Sequence, residues 1–276
     1  MNAKAIILKS IQLVVIVVLF FWIFAPFSSV VIWSIAIKWY WPHIFPQEIG
    51  LDYWLEALGI KKGLAITGAV SIIDALMTSV MIALVVVAIA TLISLPASYA
   101  LARYNIPFKP ILFFLFLMPQ AFPQQPVFVN LMRIFYAFDL VGTIPGVILA
   151  HLMPSLVFSV WINTATFKSI PPEMEEAARV TGASPLTTFF RITLPLATPG
   201  LLASSVFVFL YSLDEFTGTF FIGLPFVITL PMLLYSSSGY NMQFASATAI
   251  VLLIPSILFM LVIERFLKPE YLGGMG

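Results

Sequence analysis

Six runs of mostly apolar residues divide the chain: residues 11–32, 75–97, 111–130, 143–162, 199–221 and 245–262. A helix of about 20 apolar residues crosses a hydrocarbon core of ~30 Å, so the pattern predicts an all-α membrane protein with six transmembrane helices. The first run is longer than the core of a signal peptide, and its end, "FAPFSSVVIW", offers no small-x-small cleavage site; it reads as a span. The third contains "MPQAFPQQP", in which Pro119, Pro123 and Pro126 each remove a backbone donor. Broken helix survives in a membrane only where it is buried in protein or lines a cavity, which puts this run at the interior of the fold. Residues 38–71, dense in Trp, Pro and acidic side chains, suit an aromatic belt on the outer surface, with a short helix over residues 52–58.

One polar insert, "EEAARVTGASPLTTFFRITLPL" at residues 175–196, interrupts the apolar pattern. Pro171 and Pro172 suit a helix start. Met174, Ala177, Ala178 and Thr181 then recur at i, i+3, i+4 and i+7, a narrow face of small or apolar residues, while Glu175 and Arg179 form an i,i+4 pair on another face. Gly182 stands where a helix ends in a left-handed residue. Ser184 and Pro185 read as the cap and first position of a second helix that carries Leu186, Phe189 and Phe190 toward an apolar surface. Pro195 and Pro199 bracket the return to the membrane. The result is a compact helix-turn-helix. Alanines where leucines would serve a private core let another backbone approach, which fits docking into a partner; an amphipathic loop lying on the bilayer is the other reading of the same pattern.

Composition agrees with the spans: 61% of residues are hydrophobic, 9% are charged and the mean hydropathy is +1.07, against about 25% charged in a soluble domain. With both termini inside, nine cations share the cytoplasmic side (Lys4, Lys9, Arg103, Lys109, Lys168, Arg179, Arg191, Arg265 and Lys268) and four lie outside (Lys38, Lys61, Lys62 and Arg133). The positive-inside rule then makes both termini and the polar insert cytoplasmic. A net charge of +1 says nothing about partners, and no basic cluster suggests nucleic acid. With no cysteine, disulfides, zinc-thiolate sites and cysteine nucleophiles are excluded. There is no H-E-x-x-H pattern for a metal centre and no G-x-x-x-x-G-K-[ST] loop for nucleotide phosphates, so the chain reads as neither an enzyme nor a holder of ATP by that route.

Polar side chains inside the spans are the remaining candidates. Asp214 and Glu215 lie about 15 residues into the fifth run, ~22 Å along a helix from its cytoplasmic start. At that depth carboxylates face a cavity or a partner, either touching a cationic or hydroxyl-rich substrate or holding a second subunit. Gln120, Gln124, Gln125 and Asn130, beside the prolines of the third run, either line a polar path or stitch helices together. His151 reads as a hydrogen-bonded interior residue, and Asp74 as an acidic residue favoured at an outer helix start.

Glu176-Ala177-Ala178, three residues, Gly182, nine residues and then Ile192-x-Leu194-Pro195 match seven specified positions without a gap. This resembles the EAA motif of the inner-membrane permease subunits of binding-protein-dependent ABC importers. "ASYALARY", "PPEMEEAARVTGAS" and "RITLPLATPG" are similar to the MalG-like carbohydrate branch of the type I importers, over about residues 71–265. "SLDEF" is similar instead to polyamine and ferric-ion permeases, where carbohydrate permeases more often carry Trp-Asn-Glu-Phe.

The resemblance implies a type I importer permease fold in the plasma (inner) membrane, with a first helix and outer segment (1–70), a permease core (71–270) and a coupling loop (168–198). It implies that Glu176, Ala177, Ala178 and Gly182 dock and turn a coupling helix in a groove of an ABC ATPase dimer, and that Ile192, Leu194 and Pro195 make the return. ATP and Mg would sit on that ATPase, not on this chain. The further partners implied are a second permease subunit, a different chain, and a soluble substrate-binding protein. The solute implied is a sugar or polyol; a polyamine, an organic anion or a metal complex on the same machinery is the alternative, with a stand-alone secondary carrier behind it.

Overall fold

The computed structural model of the chain describes residues 3–60 and 70–266; Lys61, Lys62 and Lys268, used above to orient it, lie outside the described residues, as does the side chain of Lys4. In chain order the described residues form α1 (Ala3–Ile35), an antiparallel pair β1 (Ala36–Lys38) and β2 (Glu48–Ile49), α2 (Asp52–Ala57) and α3 (Ile72–Arg103). Then come α4 (Lys109–Ala121), α5 (Gln124–Ala137), α6 (Ile144–Ser169), α7 (Pro172–Val180), α8 (Pro185–Thr188), α9 (Leu194–Asp214), α10 (Leu230–Ser238) and α11 (Met242–Phe266). π-Helical turns occupy Phe189–Thr193 and Thr219–Gly223. Among the described residues the small hairpin is the one departure from an all-helical reading.

Among the described residues, five helical stretches are long and apolar enough to cross a membrane: Ile11–Ile35, Ile72–Arg103, Ile144–Ser169, Pro185–Asp214 and Met242–Arg265. The predicted span at 111–130 is not one helix. α4 stops at Ala121, Phe122 is extended (φ −89°, ψ 143°) and α5 begins at Gln124. The ring of Pro123 disfavours helical backbone at the residue before it, so the break falls at Phe122. At 1.5 Å per residue, neither the 13-residue α4 nor the 14-residue α5 reaches across ~30 Å. The predicted span at 199–221 also divides: α9 ends at Asp214, and Glu215 is extended (ψ 109°) before helix resumes.

The chain forms two compact units, Met1–Ile73 with Leu233–Leu252 and Asp74–Met232 with Leu253–Gly276. In the first, Gly50 N donates to Ile35 O (2.8 Å), Trp54 Nε1 donates to Ser34 Oγ (3.4 Å), and Trp33 stacks on Trp39 at 4.3 Å between ring centroids. The short helix expected at 52–58 is α2. Lys38 pairs with Glu48 at 2.5 Å, and that hydrogen-bonded carboxylate holds the lysine above its ordinary pKa. Trp41, Ile44 and Phe45 project from the hairpin loop, as side chains of an interfacial belt do.

The second unit is built on α3, α6 and α9. Ile82, Val86 and Ala90 of α3 pack with Val147 and Leu152 of α6 and Val208 of α9. A polar seam runs beside this apolar core: Ser94 Oγ meets Ser159 Oγ at 2.7 Å, Asn163 Nδ2 donates to Ser94 (2.9 Å), and Ser204 donates to Ser159 (3.4 Å). Small hydroxyl residues permit close helix approach and hydrogen-bond across it, which matters where lipid supplies no hydrophobic drive between helices. His151 is the interior residue expected: its ring nitrogens meet Ser212 Oγ (3.0 Å) and Thr219 Oγ1 (2.9 Å), joining α6 to both sides of the break after α9. Asp74 lies in the first turn of α3, again as expected.

Gly200 marks a close approach of α9 to α6, since a β-carbon there would collide with the side chain of Thr166. Gly200→Val should therefore cost about 1–3 kcal/mol by overpacking and lower the unfolding midpoint of the detergent-solubilised chain; an unchanged midpoint would contradict this packing.

Candidate functional site

The polar insert folds as its local chemistry dictates. At the end of α7, Ala183 N donates to Ala178 O (3.1 Å) and Gly182 N to Arg179 O (3.0 Å), the paired bonds of a Schellman turn, and Gly182 takes the left-handed backbone this requires (φ +93°). Ser184 then caps α8, its hydroxyl accepting from Thr187 N (3.2 Å), with Pro185 in the first turn. A π-helical turn at Phe189–Thr193 carries the chain into α9.

The small-residue face is open. Met174, Ala177 and Thr181 are exposed, Ala178 is half-buried, and Glu176 and Val180 are exposed beside them. Leu186 and Phe190 are 72% and 59% exposed, and Phe189 alone of the three packs inward, edge-on to Tyr99 at 4.9 Å. The reason is the length of α8, four residues, which cannot point 186, 189 and 190 the same way before the π-helical turn rotates the chain. Of the return residues, Ile192 and Leu194 are half-buried, Leu194 against the apolar cluster around Phe167 and Ala197, and Pro195 is exposed.

α7 is fastened through Glu175, the buried residue of that helix. Arg103, the last residue of α3, donates from Nε to Glu175 Oε1 (2.8 Å), and its Nη2 lies 2.8 Å from the same oxygen. Arg103 Nη2 also donates to Ile170 O (3.0 Å) at the end of α6. Tyr99 donates its hydroxyl to Glu175 Oε2 (3.0 Å), and the expected partner Arg179 stands 3.8 Å away. Sequence spacing found the i,i+4 pair and missed the shorter contacts; Arg103 had counted only as a cytoplasmic cation, and no local pattern links it to a residue 72 positions away.

A second feature lies at the far end of α9, a cavity of about 570 Å³ with Phe158, Phe207, Tyr211 and Phe216 as aromatic walls. Gln124, Asp214 and Glu215 line it too, so three of the predicted polar residues come together. Gln120, Gln125 and Asn130 are exposed and are not among its lining, and Asn130 donates instead to Pro126 O (2.7 Å) within its own helix. Gln124 Nε2 donates to Tyr211 Oη (2.5 Å), which ties the start of α5 to α9. Glu215 is buried and occupied: it accepts from Gly218 N (2.7 Å), capping the resumed helix, and pairs with Tyr211. Asp214 is exposed, and no hydrogen bond or ion pair to another described residue engages it. The aromatic walls were not singled out from sequence, since phenylalanine is abundant throughout the chain.

Comparison with known proteins places the chain in a family. A family described as "Binding-protein-dependent transport system inner membrane component" matches residues 94–272. A trehalose transport system permease of Mycobacterium tuberculosis (strain CDC 1551 / Oshkosh) is 32% identical over 199 residues, 70% of this chain and 72% of that protein. A sulfoquinovosyl glycerol transport system permease of Agrobacterium fabrum (strain C58 / ATCC 33970) is 30% identical over 205 residues, 72% of each. In fold, the chain matches a crystal structure of a bacterial ABC transporter involved in the import of the acidic polysaccharide alginate, with TM-score 0.74 at 17% identity over 97% of this chain and 99% of the other.

A β-carbon at position 182 would meet nothing within 4 Å, so only the backbone resists a larger residue there. Gly182→Val should destabilise the α7–α8 turn by about 1–2 kcal/mol, speeding protease cleavage of this loop in intact membranes while leaving the rest of the chain protected. Unchanged loop cleavage would contradict the left-handed turn.

Proposed function

This chain belongs to the family of binding-protein-dependent transport system inner membrane components, and on that basis we propose that it is the transmembrane subunit of an ATP-driven importer for a sugar or polyol. It is a multi-pass inner-membrane protein and a transport component. In the proposed cycle a soluble binding protein delivers the solute on the outer side. ATP and Mg bind and react on a separate ATPase dimer, and a second permease, a different chain, completes the pathway. Both termini are placed on the cytoplasmic side, as the distribution of cations argues.

The observation that carries this reading is the exposed small-residue face of α7 beside the Schellman turn. Met174, Ala177 and Thr181 leave room for a partner backbone, and Glu176, Ala177, Ala178 and Gly182 are assigned to the groove of the ATPase. Ile192, Leu194 and Pro195 lead directly into α9, so movement of the docked loop is delivered to a helix 21 residues long, ~30 Å from loop to cavity. The solute class is supported by the relatives, whose names include trehalose and sulfoquinovosyl glycerol, and by aromatic walls that offer flat faces to sugar rings. Asp214 favours a second reading. An unengaged carboxylate among aromatic rings attracts a cation, so a polyamine or another amine-bearing solute fits the cavity where an organic anion does not.

Purification of the chain from its own membranes in mild detergent, followed by mass spectrometry, should recover an ABC ATPase and a second permease. Ala177→Trp, which fills the exposed face without touching the buried core, should insert normally and lose the ATPase while keeping the second permease. Recovery of the chain alone, or equal ATPase recovery with the tryptophan variant, would overturn the assignment of the loop.

A further inference from the structure

A load on α7 must reach the spans through few side chains, because Glu175 is the buried residue of that helix and the others are exposed or half-buried. The Glu175 carboxylate is buried at 4% exposure and receives a charge-assisted hydrogen bond from Arg103 and a hydroxyl from Tyr99, both on the last turns of α3. Arg103 binds the carbonyl of Ile170 with the same guanidinium, so one cation joins the ends of α3 and α6 to the start of α7. Tyr99 is wedged against Phe167 of α6 (5.5 Å) and Phe189 of the return turn (4.9 Å). Two spans, α3 and α6, and the loop therefore meet at one ion pair whose side chains are 11% and 5% exposed.

We propose that Glu175 is a positioning residue of transport: through Arg103 and Tyr99 it locks the ATPase-facing loop to the cytoplasmic end of α3, so that loop and spans move as one body. This rests on the reading of the loop as the ATPase contact and names the joint behind it. The joint is stiff for a physical reason. A buried ion pair with both partners hydrogen-bonded has one low-energy geometry, and separating it strands charge away from water. The exposed pairing of Glu175 with Arg179 at 3.8 Å is the weaker arm and is dispensable.

The test uses the full chain, whose natural lack of cysteine lets labels be placed at will. Nitroxides at Val180→Cys on α7 and Leu92→Cys on α3, both on exposed side chains, should give a single narrow distance distribution by pulsed electron paramagnetic resonance. Glu175→Gln should broaden it, and the assembled importer carrying Glu175→Gln should move about tenfold less solute per ATP. Arg179→Gln should change neither. Because Glu175→Gln leaves Arg103 unpaired, the double variant Arg103→Gln/Glu175→Gln removes both charges and is measured beside it; the same broadening and loss of coupling are expected.

A narrow distribution in these variants, or a normal ratio of solute to ATP, overturns the proposal. So does a failure of both variants to insert, which would make the pair a folding determinant. The distance measurement needs no ATPase, so its outcome stands even where the ATPase contact of the loop is disproved.

Discussion

A charge or a broken backbone withdrawn from water must be satisfied by neighbouring groups, and this constraint decides where the chain is rigid and where it is open. Glu175 meets it through Arg103 and Tyr99 at the end of α3. Glu215 meets it at the other end of α9, where its carboxylate caps the restart of helix at Gly218. His151 spans the same break by engaging Ser212 before it and Thr219 after it. Asp214, one residue from Glu215, is left to the cavity. Two carboxylates adjacent in sequence thus hold different positions: one is consumed by the fold, the other lines the cavity with no hydrogen bond or ion pair to another described residue.

α9 connects these places. It begins at the return of the polar loop and ends at the cavity carboxylate, so in the proposed cycle the element that would receive displacement of the docked loop is the one that carries Asp214. The close approach of Gly200 to Thr166 and the serine seam from Ser94 to Ser204 keep α3, α6 and α9 in register along this length. A rod held this tightly transmits displacement with little bending, because packed interiors rearrange between discrete states more readily than they deform. Such a connection suits alternating access.

Features whose cause is local in sequence were legible in advance. The α7–α8 turn is an example, since proline, glycine and a serine cap each act within a few residues, and Gly182 and Ser184 occupy the roles their chemistry demands. The interruption near Pro123 was legible as broken helix, but its division of the run into two short helices depends on the extended backbone at Phe122. The end of α9 was not legible. No proline or glycine stands at Glu215, and what stabilises the break is a set of tertiary bonds from His151 on α6. The Arg103–Glu175 pair was hidden for the same reason, its partners being 72 residues apart. That Phe189 packs inward while Leu186 and Phe190 stay exposed was not legible, because periodicity assumes a continuous helix, whereas α8 gives way to a π-helical turn after one turn of chain.

In the proposed cycle this chain is a passive conduit whose motion is driven from outside it. Reconstitution into liposomes tests that most directly, with the chain alone or with its co-purified ATPase, second permease and binding protein, and radiolabelled trehalose as the first probe and a labelled polyamine as the second. The account predicts that one of these probes accumulates only in the complete assembly and only with ATP on the ATPase side, and that the chain alone accumulates neither under an imposed proton or sodium gradient. Accumulation by the chain alone under such a gradient would contradict it and would make Asp214 part of an ion-coupled carrier.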